Sequence, residues 1–281
     1  MAALLTDLRL ELRAVLATAR RQLRIRARYK LDTISLILIS LYQGLIPSLL
    51  LSATFLVHGQ PVGFTRSAGT SDVAGFLFLG AAVTTFVFGA FWGVGFALRN
   101  EMMQGTLEST WMTPTRRHAL VIGYTLADFA FSCVTGIILL LVGAVIFGAH
   151  YLGALALALP ALVLAEVALL GVAYLIGAMA LLVKEANFFT DALSFLFATA
   201  SGTAFPLSIL PGALIAIPLL LPTTYALDLL RVNALHTRPL LPALDEYGLL
   251  ALLAVLLVAL GAGAFALADR RVRRRGTLAT Y

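Results

Sequence analysis

Charge and cysteine are both scarce in this chain. Only 12% of its 281 residues are Asp, Glu, Lys or Arg, against about 25% in an ordinary soluble domain. With 60% hydrophobic residues and a mean hydropathy of +0.96, so little charge excludes a soluble enzyme, a disordered chain and a secreted disulfide module. The one cysteine, Cys133, sits in an apolar run, which removes intrachain disulfides and cysteine-based metal sites. His58, His118, His150 and His236 stand far apart without a partner at ligand spacing, so no metal is expected. A phosphate-cradling P-loop ends in Gly-Lys-Ser/Thr, and neither Lys30 nor Lys184 follows a glycine. The chain therefore lacks that route to ATP. No G-x-S-x-G or H-E-x-x-H motif is present either. The first 30 residues are Arg-rich and patterned, without the continuous apolar core of a signal peptide.

What the chain does have is long apolar segments. Six are expected to span a membrane, at about 31–57, 73–98, 119–147, 152–183, 188–205 and 247–268. A further apolar stretch, 210–221, could make a seventh. It carries Pro211, Pro218 and Pro222, which suits a broken, re-entrant element better than a straight span. Charge placement agrees. With six spans, 17 of the 20 basic residues fall inside and only Arg66, Arg231 and Arg238 outside, as the positive-inside rule requires. Both termini are then cytoplasmic, with a re-entrant outer segment at 206–231 and a basic tail at 269–281.

Residues 3–30 read as an amphipathic helix. At about 100° per residue, Leu4, Leu5, Leu8, Leu12, Val15, Leu16, Ala19 and Leu23 share one arc, flanked by Arg9, Arg13, Arg20 and Arg24. Such a helix either lies in the membrane interface with its arginines on anionic headgroups or packs on a partner protein.

The polar connection 99–118, RNEMMQGTLESTWMTPTRRH, is the most informative segment. A helix of about ten residues from Glu101 would expose Glu101, Gln104 and Glu108 at i, i+3 and i+7, with Met102, Met103, Leu107, Trp111 and Met112 as apolar contacts. From the residues alone, it is equally a partner-docking surface and a turn resting on headgroups.

The string E-x-x-x-G-T-L-E-x-x-x-x-T-P-x-x-R (Glu101, Gly105, Thr106, Leu107, Glu108, Thr113, Pro114, Arg117) resembles the loop after the second span of ATP-binding-cassette type-2 permeases. Gly123, FPLSILP (Phe205 to Pro211) and LPTTYALDLLR (Leu221 to Arg231) extend the resemblance, which covers essentially the whole chain. The stretch Ser109 to Met112 departs from it, being less aliphatic than expected. The resemblance implies an all-α polytopic membrane protein, 1–281 as one transmembrane domain, with an N-terminal interfacial helix and a cytoplasmic coupling helix. It implies that Glu101, Gln104, Gly105, Thr106, Leu107, Glu108 and Pro114 form the contact with a separate ATPase subunit, Gly105 permitting close approach. Two permeases, identical or related, and two ATPases would make one transporter in the bacterial inner membrane. ATP and Mg²⁺ would sit in the ATPases, this chain binding no cofactor and no nucleic acid. The cargo would be a drug, lipid or polysaccharide moving outward.

The remaining expectations concern the membrane interior. Asp128, Glu166 and Asp191 are ionisable residues within expected spans, where such groups are functional suspects. Glu166, nearest mid-membrane, is either a pathway contact or a hydrogen-bonded packing acid. Phe86, Phe195 and Phe205, on the aromatic-rich second and fifth spans, are candidate pathway contacts by the same resemblance; most such rings pack on neighbours. Gly89, Gly93 and Gly95 give the second span a small face for packing within the subunit or across a dimer. Asp228 and Arg231 are expected to pair locally. A proton-coupled secondary transporter, an integral lipid-modifying enzyme and a non-transporting anchor are the rival readings.

Overall fold

The computed structural model describes residues 2–31, 33–39, 42, 46, 50, 64–113, 115–151, 155–183 and 186–275. Those residues form helices, turns and loops, with no strand among them. Helix α1 runs Ala2–Arg28 and a short α2 runs Phe64–Ala68, followed by α3 (Val73–Met103), α4 (Leu107–Trp111) and α5 (Arg117–Phe147). Then come α6 (Leu159–Leu182), α7 (Ala186–Ala200), α8 (Ala216–Leu219), α9 (Pro222–Leu235) and α10 (Ala243–Arg275), with 3₁₀ turns at Leu155–Ala158 and Leu207–Ile209.

Four of these, α3, α5, α6 with its leading turn, and α10, are long and apolar enough to cross a membrane. They fall on the expected second, third, fourth and sixth segments. Most of the first, 31–57, lies outside the described residues, as do 276–281 of the tail. The fifth segment is shorter than expected: α7 has 15 residues, about 22 Å of helix. It ends at Ala200 rather than Phe205, because Gly202 (φ +75°) turns the chain out of the helix. The polar ends also differ. The second-segment helix continues to Met103, and α10 continues through Arg270–Arg275, so most of the basic tail is helical. Hydropathy marks where apolar side chains stop, not where the helical hydrogen-bond ladder stops.

Helix α3 is the hub. Of its apolar window 78% is buried, against 28% in α5 and 22% in α10. Val145 on α5 and Val255, Leu260 and Leu267 on α10 stay exposed, as lipid-facing rows do. Small residues permit the close packing around α3. A Cβ on Gly89 would strike Ser132, one on Gly93 would overlap the Asp128 carboxylate, and one on Gly95 would meet Ile176. The small face therefore serves packing within this chain. Between α6 and α10, Gly171 and Gly261 bring the two backbones together; a Cβ on Gly171 would collide with the backbone at Leu257 and one on Gly261 with the Gly171 carbonyl.

At the end of the bundle opposite α4, the segment 206–221 has no helix longer than the four residues of α8. Helix α9 starts at Pro222, a residue preorganised for a first helical position. The last carbonyls of α8 are capped from α9: the Thr224 hydroxyl donates to Pro218 O at 2.7 Å and the Tyr225 hydroxyl to Leu219 O at 2.7 Å. Most of α9 is buried, against α3, α6 and α10.

Arg231 on α9 corrects an expectation. It forms no salt bridge with Asp228. Its guanidinium donates instead to Gly202 O (2.8 Å), Thr203 O (2.8 Å) and Phe76 O (3.1 Å), and stacks 3.3 Å from the Phe76 ring centroid. The carbonyls just beyond the C-terminus of α7 carry partial negative charge, and Gly80 leaves room for the 202–203 turn to reach α3. Asp228 accepts from the Leu240 N–H at 2.8 Å. The planar fork of donors lets one guanidinium serve all three carbonyls at once.

The α6–α10 contact is directly testable. Gly171→Leu must force the two backbones apart, a change of about 1–3 kcal/mol or more, and is expected to lower the melting temperature and monodispersity of the detergent-solubilised protein. Gly263→Leu on α10, whose Cβ meets nothing within 4 Å, should leave both unchanged.

Candidate functional site

The 99–118 connection is built by the way α3 ends. Glu101, Met102 and Met103 finish the helix, Gln104 is its C-cap, and Gly105 takes φ +67°. Gly105 N–H donates to Met102 O at 3.0 Å and Thr106 N–H to Glu101 O at 2.9 Å. This pair of bonds is a Schellman cap, with glycine at the left-handed position. The E-x-x-x-G-T spacing thus has a local explanation. Nothing in the chain lies within 4 Å of a Cβ built on Gly105, so within the chain its requirement is conformational and not one of crowding.

The cap shortens the expected helix. In place of about ten residues from Glu101, α4 covers the five residues Leu107–Trp111, because a left-handed residue breaks the ladder. Thr106 opens it: its carbonyl accepts from Thr110 N–H at 3.0 Å and from the Ser109 hydroxyl at 2.8 Å. Leu107 and Trp111, four residues apart on one face, are 1% and 7% exposed and insert into a core built from α3, α5, α6 and α10. The opposite face carries Gln104, Gly105, Thr106, Ser109 and Thr113, with Met103 and Met112 at 73% and 79% exposure. The Glu108 side chain and Pro114 lie outside what is described.

Glu101 is not on that face. It is 3% exposed. Its Oε1 accepts from Arg21 Nη2 at 2.9 Å and from the Tyr124 hydroxyl at 2.7 Å, joining α1, α3 and α5. The side chain of an α3 residue one turn before the cap points back along its own helix into the bundle, where a carboxylate needs partners.

Two further buried acids repeat the pattern. Asp128 on α5 pairs with Arg26 of α1, whose guanidinium also lies 4.6 Å over the Phe131 ring. Asp269 on α10 accepts from Trp111 Nε1 at 3.0 Å and from Arg273 Nη2 at 2.6 Å, with Arg117 Nε at 3.3 Å. Helix α4 is therefore pinned on its underside to α10 and, through Glu101, to α1. A fourth pair, Glu11–Arg116 at 2.6 Å, is more exposed and of little energetic weight.

Helix α1 shows three stripes at about 100° per residue. Val15, Thr18, Ala19, Gln22 and Arg26 turn toward the bundle, where Gly123 of α5 lies against Thr18 and the Val15 carbonyl. Leu12 and Leu16 are 57% and 52% exposed. Arg9, Arg13, Arg20 and Arg24 lie beyond them, exposed. The arginines singled out by the amphipathic pattern are thus the outward ones. Arg21 and Arg26, which anchor the helix, were missed, as was Asp269. The available signal for Asp269 was an isolated acid ahead of RRVRRR.

The candidate pathway residues lie on α3, α6, α7 and the turn after α7. Phe86 is buried beside Leu169 and 5.7 Å from the Phe129 ring. Glu166 on α6, half-buried, has one carboxylate oxygen without a partner among the described residues. Phe195 is 66% exposed on α7, and Phe205 lies in the turn after it. No group of three or more His, Cys, Asp or Glu able to hold a metal occurs among the described residues.

An all-helical bundle of long apolar helices, with a polar connection locked at one end, defines a multi-pass membrane protein. The model of the ABC-2 type transporter family matches residues 13–235, and the chain belongs to that family. It is accordingly the membrane component of an ABC transporter, a family whose permeases generally work with ABC ATPase partners. No curated protein matches the chain.

The buried pair offers a clean test. Arg26→Leu or Asp128→Leu alone leaves an uncompensated charge and is expected to cost about 3–5 kcal/mol, less the share that partial exposure of Arg26 screens. The double Leu variant should recover much of that loss in detergent melting curves.

Proposed function

We propose that this chain is the permease subunit of an ATP-driven exporter, receiving force from a separate ATPase through the outward face of α4. The carrying observation is the two-sidedness of that helix. Leu107 and Trp111 root it in the bundle, while Met103, Gln104, Thr106, Ser109 and Met112 face away. Met side chains flanked by polar groups suit an adaptable protein contact. Glu101 acts in this reading from beneath, holding the cap against α1 and α5, with Glu108 and Pro114 completing the docking segment.

The sidedness proposed is cytoplasmic for α4, α1 and both termini, in the bacterial inner membrane, since 17 of 20 basic residues then lie inside. The topology is six spans in one domain, with 206–231 re-entrant in the outer leaflet. Two copies, or this chain and a related permease, work with two ATPases that bind ATP and Mg²⁺; this chain supplies no ATP site. Substrate passes between the permeases, with Phe86, Glu166, Phe195 and Phe205 as candidate contacts. An apolar interior favours a drug or lipid, a polysaccharide being the further possibility. Arg9, Arg13, Arg20 and Arg24 hold α1 on anionic headgroups.

Deleting Gly105 destroys the cap, and Glu108→Arg reverses charge on the docking segment. Both are expected to abolish substrate-stimulated ATPase activity of the co-purified complex while the permease stays folded. Wild-type stimulation in both would refute the coupling role; transport in liposomes without any ATPase would refute the ATP-driven reading itself.

A further inference from the structure

The three basic residues assigned to the outer side, Arg66, Arg231 and Arg238, are far apart in sequence, yet all line one half-open cleft of about 320 Å³. The cleft lies between α2, the 207–209 turn, α8, α9 and the 237–240 loop. Gly69 (φ +78°) lets the turn after α2 pack on Arg238, to whose N and Cγ a Cβ would come within 3.0 and 3.1 Å. Convergence of every outer cation on one cleft is not what orientation in the membrane requires, since the positive-inside rule disfavours each of them.

The charge there is not neutralised. Asp228 is the only acid in the lining, and its Oδ2 is already engaged by the Leu240 N–H. Three cations against one carboxylate leave a net charge of +2 in the lining. Neither Arg66 nor Arg238 forms a salt bridge among the described residues, and both are exposed. Arg231, 5% exposed, spends its donors on neutral carbonyls and keeps Nε without a partner. Thr237, 6% exposed, lines the cleft with its hydroxyl also without a partner among the described residues. Ile215, Leu219 and Leu227 add aliphatic side chains to the same lining.

Cations, a spare hydroxyl and aliphatic side chains lining one cleft fit an anion attached to a hydrophobic body. We propose that the cleft binds the phosphate group of an amphipathic molecule at the outer leaflet, Arg66 and Arg238 contacting the anion above the fixed positive charge of Arg231. Its placement at the outer leaflet rests on the sidedness proposed above. Binding is measured on the permease alone, without ATP or ATPase, so loss of anion binding and loss of ATP coupling are separate outcomes.

The full-length chain, delipidated in a neutral detergent, would be titrated with phosphatidylglycerol and with diacylglycerol of the same acyl chains, and adducts counted by native mass spectrometry. The expected result is selective retention of phosphatidylglycerol, weakened roughly tenfold or more in R66Q/R238Q. R238Q alone, expected to lose affinity in the same direction, serves if the double variant misfolds. Displacement by excess inorganic phosphate assigns the site to the phosphate group alone, and resistance to it assigns the site to the intact lipid. Equal retention of the two lipids, or undiminished phosphatidylglycerol binding in a folded variant, overturns the proposal.

Discussion

Glu101 and Asp128 sit on neighbouring helices of a bundle whose apolar segments supply no water to solvate a charge. An ionised carboxylate in such surroundings is costly unless an opposite charge and hydrogen bonds surround it. The partners come from outside the bundle: Arg21 and Arg26 both belong to α1. That need for pairing fixes where α1 lies. Its amphipathic pattern alone would place it anywhere along an interface, whereas the two ion pairs and the close approach of Gly123 to Thr18 set its register on α5.

The same constraint shapes α4. A five-residue helix has no stability of its own. It exists here because Leu107 and Trp111 are buried in the shared core and Asp269 accepts from the Trp111 indole. The Schellman cap at Gly105 sets its direction relative to α3. Cap, core and ion pairs together connect α1, α3, α4, α5, α6 and α10 at one end of the molecule, so in the proposed function a push on α4 would reach all four of the membrane-length helices described. The other end uses different physics. There Arg231 binds carbonyls instead of a carboxylate, gathering α3, α9 and the end of α7 while leaving its charge unneutralised.

Much of this was legible in the sequence, for identifiable reasons. Long apolar runs report spans because bilayer thickness sets their length, and four of them reappear as membrane-length helices. The G-T-L-E string falls on the turn between α3 and α4, where a left-handed glycine and a buried Leu107 are local requirements. Pairings across helices were not legible. Glu101 sits beside exposed polar residues in sequence, yet its partners are 80 and 23 residues away, and no periodicity reports them. The amphipathic arc drew attention to Arg9, Arg13, Arg20 and Arg24 because they flank the leucines, whereas the anchoring arginines sit on the face that a two-sided wheel does not distinguish. Asp228 and Arg231 looked like a pair at i, i+3; which acceptor a guanidinium takes depends on the turn at Gly202, a tertiary feature.

The ion pairs and the shared core make α1 and α4 one body, at the end proposed to face the ATPase. The direct test is electron–electron spin distance measurement on the assembled transporter, in a Cys133→Ala background. Labels would be placed at Arg20 and Met112, both exposed, with Met112 labelled alone in a second sample to report the distance between the two permease copies. The Arg20–Met112 distribution is expected to stay unchanged through ATP binding and hydrolysis while the distance between copies shifts. An Arg20–Met112 distribution that shifts or broadens with nucleotide, so that α1 moves independently of α4, would contradict it.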